Sequence, residues 1–233
     1  MSPAPRAVVL DVEGTTGSLS FVRDVLFPFA RRALPALVEA RGNEPGVRAW
    51  LDRVTADAPT ANTDEARLQV LGAWMDEDRK HPALKALQGL TWEAGYASGA
   101  FSSHLYPDVA PALSAWKAQG HALFVYSSGS VRAQELYFGH TAAGDLRPLL
   151  SGHFDTAVGG KREAASYARI AREVGRAPVE LLFLSDVVEE LDAARAAGLG
   201  TVLVDRPQDY PTPRTGEAAR GHARVTSFAG LRP

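Results

Sequence analysis

The sequence predicts an α/β protein, a doubly wound parallel sheet with a helical cap inserted after its first strand. Three observations predict it. Short, continuous apolar runs end in acidic or small polar residues, as buried parallel strands do. Amphipathic helical stretches alternate with those runs. One long segment, residues 18–102, breaks the alternation and holds helical patterns without a convincing strand.

Taken in order, Ala7-Val8-Val9-Leu10 is the first buried strand, ending in Asp11 and a Gly14-Thr15-Thr16-Gly17 turn that opens at its carboxyl end. Within residues 18–102, Leu68, Leu71, Trp74 and Met75 share one helical face. Pro28 and Pro35 fall inside the first pattern of this cap, so its first helix is expected to be kinked or late-starting. Residues 1–17 and 103–233 form the expected core. There, Val109, Ala112, Leu113 and Trp116 share a helical face before Gly120, and Tyr167, Ile170, Ala171 and Val174 share another before Gly175. Ala122–Tyr126, Leu181–Leu184 and Thr201–Val204 are the other clear strands. Pro207 to Gly216, rich in Pro, Thr and Gly, reads as a surface loop before a short last strand near Arg224-Val225-Thr226.

Composition narrows the function. With 233 residues, 45% of them hydrophobic, the chain can bury a large core. Its 25 basic and 27 acidic residues give a formal net charge of -2, too little field to hold nucleic acid or an anionic membrane, so a small-molecule partner is expected. Cysteine is absent, which excludes disulfides, thiolate metal sites and a cysteine nucleophile. The run that leads into Asp11, Ala7 to Leu10, has only four apolar residues, too few for the apolar region of a signal peptide, and no apolar run approaches the roughly 20 residues that span a bilayer. A soluble, cytoplasmic protein is the expectation.

In an open parallel sheet the ligand crevice lies beyond the carboxyl ends of the strands, where Asp11, Ser127 and Asp186 terminate apolar runs. A lone Asp before such a turn is ordinarily a turn residue; three converging polar groups are not. Asp11 and Glu13, two residues apart, suit a nucleophile and a separate proton donor, since attack needs an ionised carboxylate and departure a protonated acid. Asp11 and Asp186, hard carboxylates from separate strands, suit Mg²⁺. No His pair has zinc-like spacing. Ser127 and Ser128 open a helix near Val131 and present hydroxyls and N–H groups to an anion, with Ser130 as the helix cap. Lys161, after Gly159-Gly160, can neutralise Asp11 and a phosphoryl group, although alone it would be a surface lysine. Glu189, Glu190 and Asp192 can equally be the acidic start of a helix.

This ordered set, Asp11-x-Glu13-Gly-Thr, Ser127, Lys161 and Ser185-Asp186-x-x-x-Glu190, resembles the haloacid-dehalogenase superfamily of phosphohydrolases. Longer stretches, Ser20 to Ala30, Leu84 to Gly89, Tyr126 to Val131, Phe154 to Thr156 and Phe183 to Val187, resemble its enolase-phosphatase (acireductone synthase) branch of methionine salvage; the likeness runs from about Ala7 to Asp205. It implies enolisation and dephosphorylation of 2,3-diketo-5-methylthiopentyl-1-phosphate, with Mg²⁺, by a monomer. It assigns Asp11 as the phosphorylated nucleophile, Asp11 and Asp186 as metal carboxylates, Glu13 as a metal ligand through its backbone carbonyl, and Ser127, Ser128 and Lys161 to the phosphate. Glu13 and Glu190 stand where most of the superfamily has Asp.

A general phosphatase of the same superfamily would share every core residue but not the cap segments. A non-catalytic phosphate-binding domain would have no use for the full charged set. Phe21, Leu26, Trp74, Met75 and Trp92 fit either a pocket for a methylthio tail or helix core.

Overall fold

A computed structural model describes residues 7–77 and 79–233; residues 1–6 of the expected core, including the start of the stretch weighed as a signal peptide, and Asp78 of the expected cap lie outside the described residues. The chain divides into two compact units, one continuing to Phe21 and resuming at Ser102, the other Val22–Phe101.

The first unit is built on six parallel strands, β1 (Ala7–Leu10), β2 (Ala122–Tyr126), β3 (Gly152–Phe154), β4 (Leu181–Ser185), β5 (Gly200–Val204) and β6 (Ala223–Val225), in the order β3-β2-β1-β4-β5-β6. Alternate residues of each strand serve opposite faces. Ala7, Val9, Phe183 and Leu203 join Tyr126, Tyr167, Ile170 and Leu191 in one core; Val8, Leu10, Leu184 and Val204 join Val109, Leu113, Trp116 and Phe228 in the other. Both faces are therefore covered, which is why the strands read as unbroken apolar runs.

The structure adds β3 to the expected strands. Gly152-His153-Phe154 is short, half-buried and at the sheet edge, so it carries no apolar run to read. The last strand is Ala223–Val225, one residue earlier than expected.

The second unit packs the helices Phe27–Arg41, Pro45–Asp57, Asp64–Asp76 and Pro82–Ala97 around Leu34, Val38, Leu51, Val54, Leu71, Trp74 and Leu87. Its first α-helix does start late, at Phe27 with Pro28 in its first turn, after a π-helical turn Val22–Leu26; it then runs through Pro35, between the buried Ala30, Leu34 and Val38. Trp74 and Met75 belong to this core, and the Trp92 indole donates to the Leu26 carbonyl at 2.9 Å. Phe21, in the other unit, meets Tyr137 edge-on at 5.8 Å. Of the five aromatic and apolar residues weighed for a substrate tail, Phe21, Trp74, Met75 and Trp92, which stacks on Phe27 at 6.3 Å, have packing partners, and Leu26 is buried. Among the described residues no helix is long and apolar enough to cross a membrane.

Candidate active site

Leu10 sits level with Val125 of β2 and Leu184 of β4, and the Asp11 N–H donates to the Leu184 carbonyl at 3.0 Å. Asp11, Ser127 and Asp186 therefore lie one step past the carboxyl ends of three adjacent strands, where an open parallel sheet places its ligands. All three are buried.

Asp11 is held on both oxygens. Oδ1 accepts from the Val12 N–H at 2.7 Å and from Lys161 Nζ at 2.7 Å; Oδ2 lies 3.3 Å from the Ser185 hydroxyl. Lys161 Nζ is equally close, 2.7 Å, to Glu190 Oε2, which the Ser185 hydroxyl also reaches at 3.1 Å. Lys161 is thus no surface lysine. Burial opposes its charge, but Asp11 and Glu190 outweigh burial and raise its pKa. Its loop is fixed from beneath: Tyr126, Ser166 and Tyr167 hydroxyls donate to the Gly159, Gly160 and Lys161 carbonyls at 3.0, 2.8 and 2.6 Å.

Asp186 is 1% exposed, and its carboxylate oxygens accept from two neutral hydroxyls, Thr15 at 3.3 Å and Tyr210 at 2.5 Å. Burial first and the Asp11 charge second push its pKa well above the ordinary carboxylate range. The same two causes raise Glu190. Three buried carboxylates thus face one ammonium, an imbalance that a bound cation would relieve. Among the described residues no cluster of three or more His, Asp or Glu side chains is arranged to hold a metal. The two carboxylates Asp11 and Asp186 fit Mg²⁺, which takes one or two carboxylates and keeps several waters.

The loop after Asp11 closes on itself, with the Val12 carbonyl accepting from Thr15, Thr16 and Gly17 N–H groups. Gly14 has φ +72°, and a Cβ there would stand 2.3 Å from Asp186 Oδ2. Only glycine allows this approach. Glu13 is half-buried in the loop and bridges through its backbone to Gly17.

The phosphate cradle expected at the helix Val131–Gly139 differs in one respect. Three N–H groups there are already engaged: Gly129 donates to Ser127 Oγ at 3.2 Å, Val131 to Asp155 Oδ2 at 3.3 Å, and Ala133 to the Ser130 cap at 3.3 Å. The Ser127 hydroxyl accepts and so keeps its own proton to donate; Ser128 is exposed. Of the acids on the helix Val188–Ala196, Glu189 and Asp192 pair with Arg220 at 3.0 and 2.8 Å on the exposed side, while Glu190 turns inward to Lys161.

Sequence reasoning passed over Thr15, Ser185, Tyr210 and Arg214. The segment Pro207 to Gly216 is more than a surface loop: Tyr210 reaches the Asp186 carboxylate, and Arg214 donates to the Asp186 carbonyl at 2.5 Å. Nothing in its composition marks those two residues. Ser185 and Thr15 stand inside the quoted motifs, which gave neither a role of its own.

Residues 5–198 match the haloacid dehalogenase-like hydrolase family. The chain is 58% identical over 224 residues to the enolase-phosphatase E1 of Stenotrophomonas maltophilia, covering 96% of this chain and 97% of that protein. It is 56% identical over 227 residues to the enolase-phosphatase E1 of Xylella fastidiosa, covering 97% and 98%. Among solved structures it superposes on the UTR4 protein (Unknown transcript 4 protein) of Saccharomyces cerevisiae with a TM-score of 0.82 at 33% identity, covering 97% of this chain and 100% of that one.

Proposed function

The chain belongs to the haloacid dehalogenase-like hydrolases and, within them, to the enolase-phosphatase E1 family, and from that membership we propose its reaction. It enolises 2,3-diketo-5-methylthiopentyl-1-phosphate and dephosphorylates the product to 1,2-dihydroxy-3-keto-5-methylthiopentene, the acireductone of methionine salvage. The observation that supports the phosphoryl step best is the buried triad of Asp11, Lys161 and Glu190 at the carboxyl edge of the sheet.

In this reading Asp11 attacks phosphorus with Oδ2, the less tightly held oxygen, while Lys161 and the Val12 N–H keep the carboxylate aimed through Oδ1. The ester P–O bond breaks as the aspartyl-phosphate forms, and Glu13 gives its proton to the departing oxygen. Glu13 then takes a proton from the water that cleaves the acyl phosphate, returning Asp11 and phosphate. Ser127, Ser128 and Lys161 hold the phosphoryl oxygens. Mg²⁺, held by Asp11, Asp186 and, as the family resemblance implies, the Glu13 carbonyl, would neutralise phosphoryl charge. The unit Val22–Phe101 acts as the substrate-selecting cap, and the enzyme works as a cytoplasmic monomer.

The test is an anaerobic reaction of the purified protein with the diketone phosphate and Mg²⁺, following phosphate release and the ultraviolet absorbance of the enediol. Both should appear, and phosphate release should fall below detection in Asp11→Asn. Release from simple esters without any enediol would overturn the enolase half; turnover surviving Asp11→Asn would overturn the nucleophile.

A further inference from the structure

Asp186 is framed by the segment that follows β5. Tyr210 donates to its Oδ2 at 2.5 Å. Arg206, from the same segment, donates through Nε to the Thr15 carbonyl at 3.0 Å, and the Thr15 hydroxyl reaches Asp186 Oδ1 at 3.3 Å. Arg214 donates to the Asp186 carbonyl. Two residues of one segment thus hold the aspartate directly, Tyr210 at Oδ2 and Arg214 at the backbone carbonyl, while Arg206 holds Thr15, whose hydroxyl reaches Oδ1.

The phenol is itself held. The Arg214 guanidinium lies 3.4 Å from the Tyr210 ring centroid, and Arg214 is anchored on Asp205, Nε to Oδ1 at 2.7 Å and N–H to Oδ2 at 2.9 Å, and on the Val204 carbonyl at 3.2 Å. The Tyr210 N–H closes a turn on the Arg206 carbonyl at 2.8 Å. A segment serving only to connect β5 to β6 would not need a hydroxyl at this point. The hydroxyl uses one lone pair of Oδ2 and stops the carboxylate rotating, leaving a second lone pair on each oxygen for another ligand.

We infer that Tyr210 is a positioning residue, which sets the orientation in which Asp186 receives a divalent cation. The inference rests on Asp186 being a cation ligand, as proposed above. Groups that orient a metal ligand without touching the metal are worth on the order of 10–100-fold in metal affinity or activity. Tyr210→Phe isolates this contribution, since it removes one O–H and keeps the ring under Arg214.

The experiment titrates MgCl₂ into the full-length wild type, Tyr210→Phe, Arg214→Lys and Asp186→Asn by calorimetry, with the metal-free melting temperature of each as a control for folding. Tyr210→Phe should bind Mg²⁺ roughly 10-fold or more weaker than wild type with an unchanged metal-free melting temperature. Arg214→Lys keeps the phenol but loses the planar stack and fork, and should weaken binding in the same direction. Wild-type Mg²⁺ affinity in both variants overturns the role of Tyr210 and leaves Asp186 a ligand. Wild-type affinity in Asp186→Asn, or no binding by the wild type, overturns the cation reading and this inference with it.

Discussion

At the scale of single residues, the site is built by close approaches that one atom would spoil. Gly14 is the sharpest case, because a methyl group there would need space already filled by the Asp186 carboxylate and would sit on backbone with positive φ. The left-handed backbone alone costs a non-glycine residue about 1–2 kcal/mol. Displacing Asp186 should cost more in rate than in stability, since a 1 Å misplacement can lower turnover about 100-fold. Gly14→Ala should therefore unfold at somewhat lower urea yet lose kcat by roughly that factor, and a variant of full activity would show that Asp186 need not hold this position. The sequence made Asp11 and Asp186 legible because each ends an apolar run, and a strand end is a place as well as a pattern. Lys161 was legible only in combination. Tyr210 and Arg214 were hidden, because a hydroxyl and a guanidinium in a Pro- and Thr-rich stretch look solvated until the chain is folded back over β4.

At the scale of elements, caps and connections divide the labour between stability and chemistry. Ser130 caps the helix Val131–Gly139 by accepting from the Ala133 N–H, whereas Ser127 lies one residue past the end of β2. Ser130→Ala should lower stability by about 1 kcal/mol, read from the urea midpoint, with KM for the phosphate ester unchanged. A tenfold rise in KM would make Ser130 a ligand and not a cap. The segment after β5 joins elements through Arg206, which is 2% exposed, lies against the Tyr106 and Phe228 rings at 4.3 and 4.8 Å, and donates from Nη1 to both Asp108 oxygens at 2.9 and 2.8 Å. Burial lifts the Asp108 carboxyl, but the Arg206 hydrogen bond, the Phe228 N–H and the Arg206 charge outweigh it and hold the pKa below its ordinary value. A carboxyl whose folded pKa lies below its unfolded one, about 3.9 for Asp, adds stability above that value and loses it as pH falls through the folded pKa. Asp108→Asn should flatten the fall in the urea midpoint below about pH 4 and, by leaving a guanidinium buried and unpaired, cost about 3–5 kcal/mol at neutral pH. Parallel midpoint curves for variant and wild type would show that Asp108 does not contribute to the acid limb. Elements with long apolar runs were readable from sequence; β3 was not, since three half-buried residues at a sheet edge carry too little hydrophobic pattern.

At the scale of the molecule, stability and site chemistry draw on different stores. The cores on the two faces of the sheet and the core of the helical unit each close within their own unit, so the fold does not depend on the charged cluster. The cluster works against it. A net charge of -2 over the whole chain conceals Asp11, Asp186 and Glu190 buried with one compensating lysine, a local excess that the sheet unit must tolerate when no cation is bound. Whatever neutralises that excess binds the folded state alone and stabilises it by mass action, about 2.7 kcal/mol at a concentration 100 times its Kd. For a chain of 150–250 residues each kcal/mol moves the melting temperature by about 2–4 °C, so saturating Mg²⁺ should raise it by roughly 5–11 °C. Scanning calorimetry with MgCl₂ or EDTA reads this directly, and Asp186→Asn separates the site from general salt effects. In that variant one buried negative charge is gone, so the metal-free protein should melt higher than metal-free wild type while its response to Mg²⁺ collapses. An Mg²⁺ shift that survived Asp186→Asn in full would place the stabilising cation elsewhere on the chain, and the excess of buried carboxylate would then be balanced by protons, as the raised pKa of Asp186 allows.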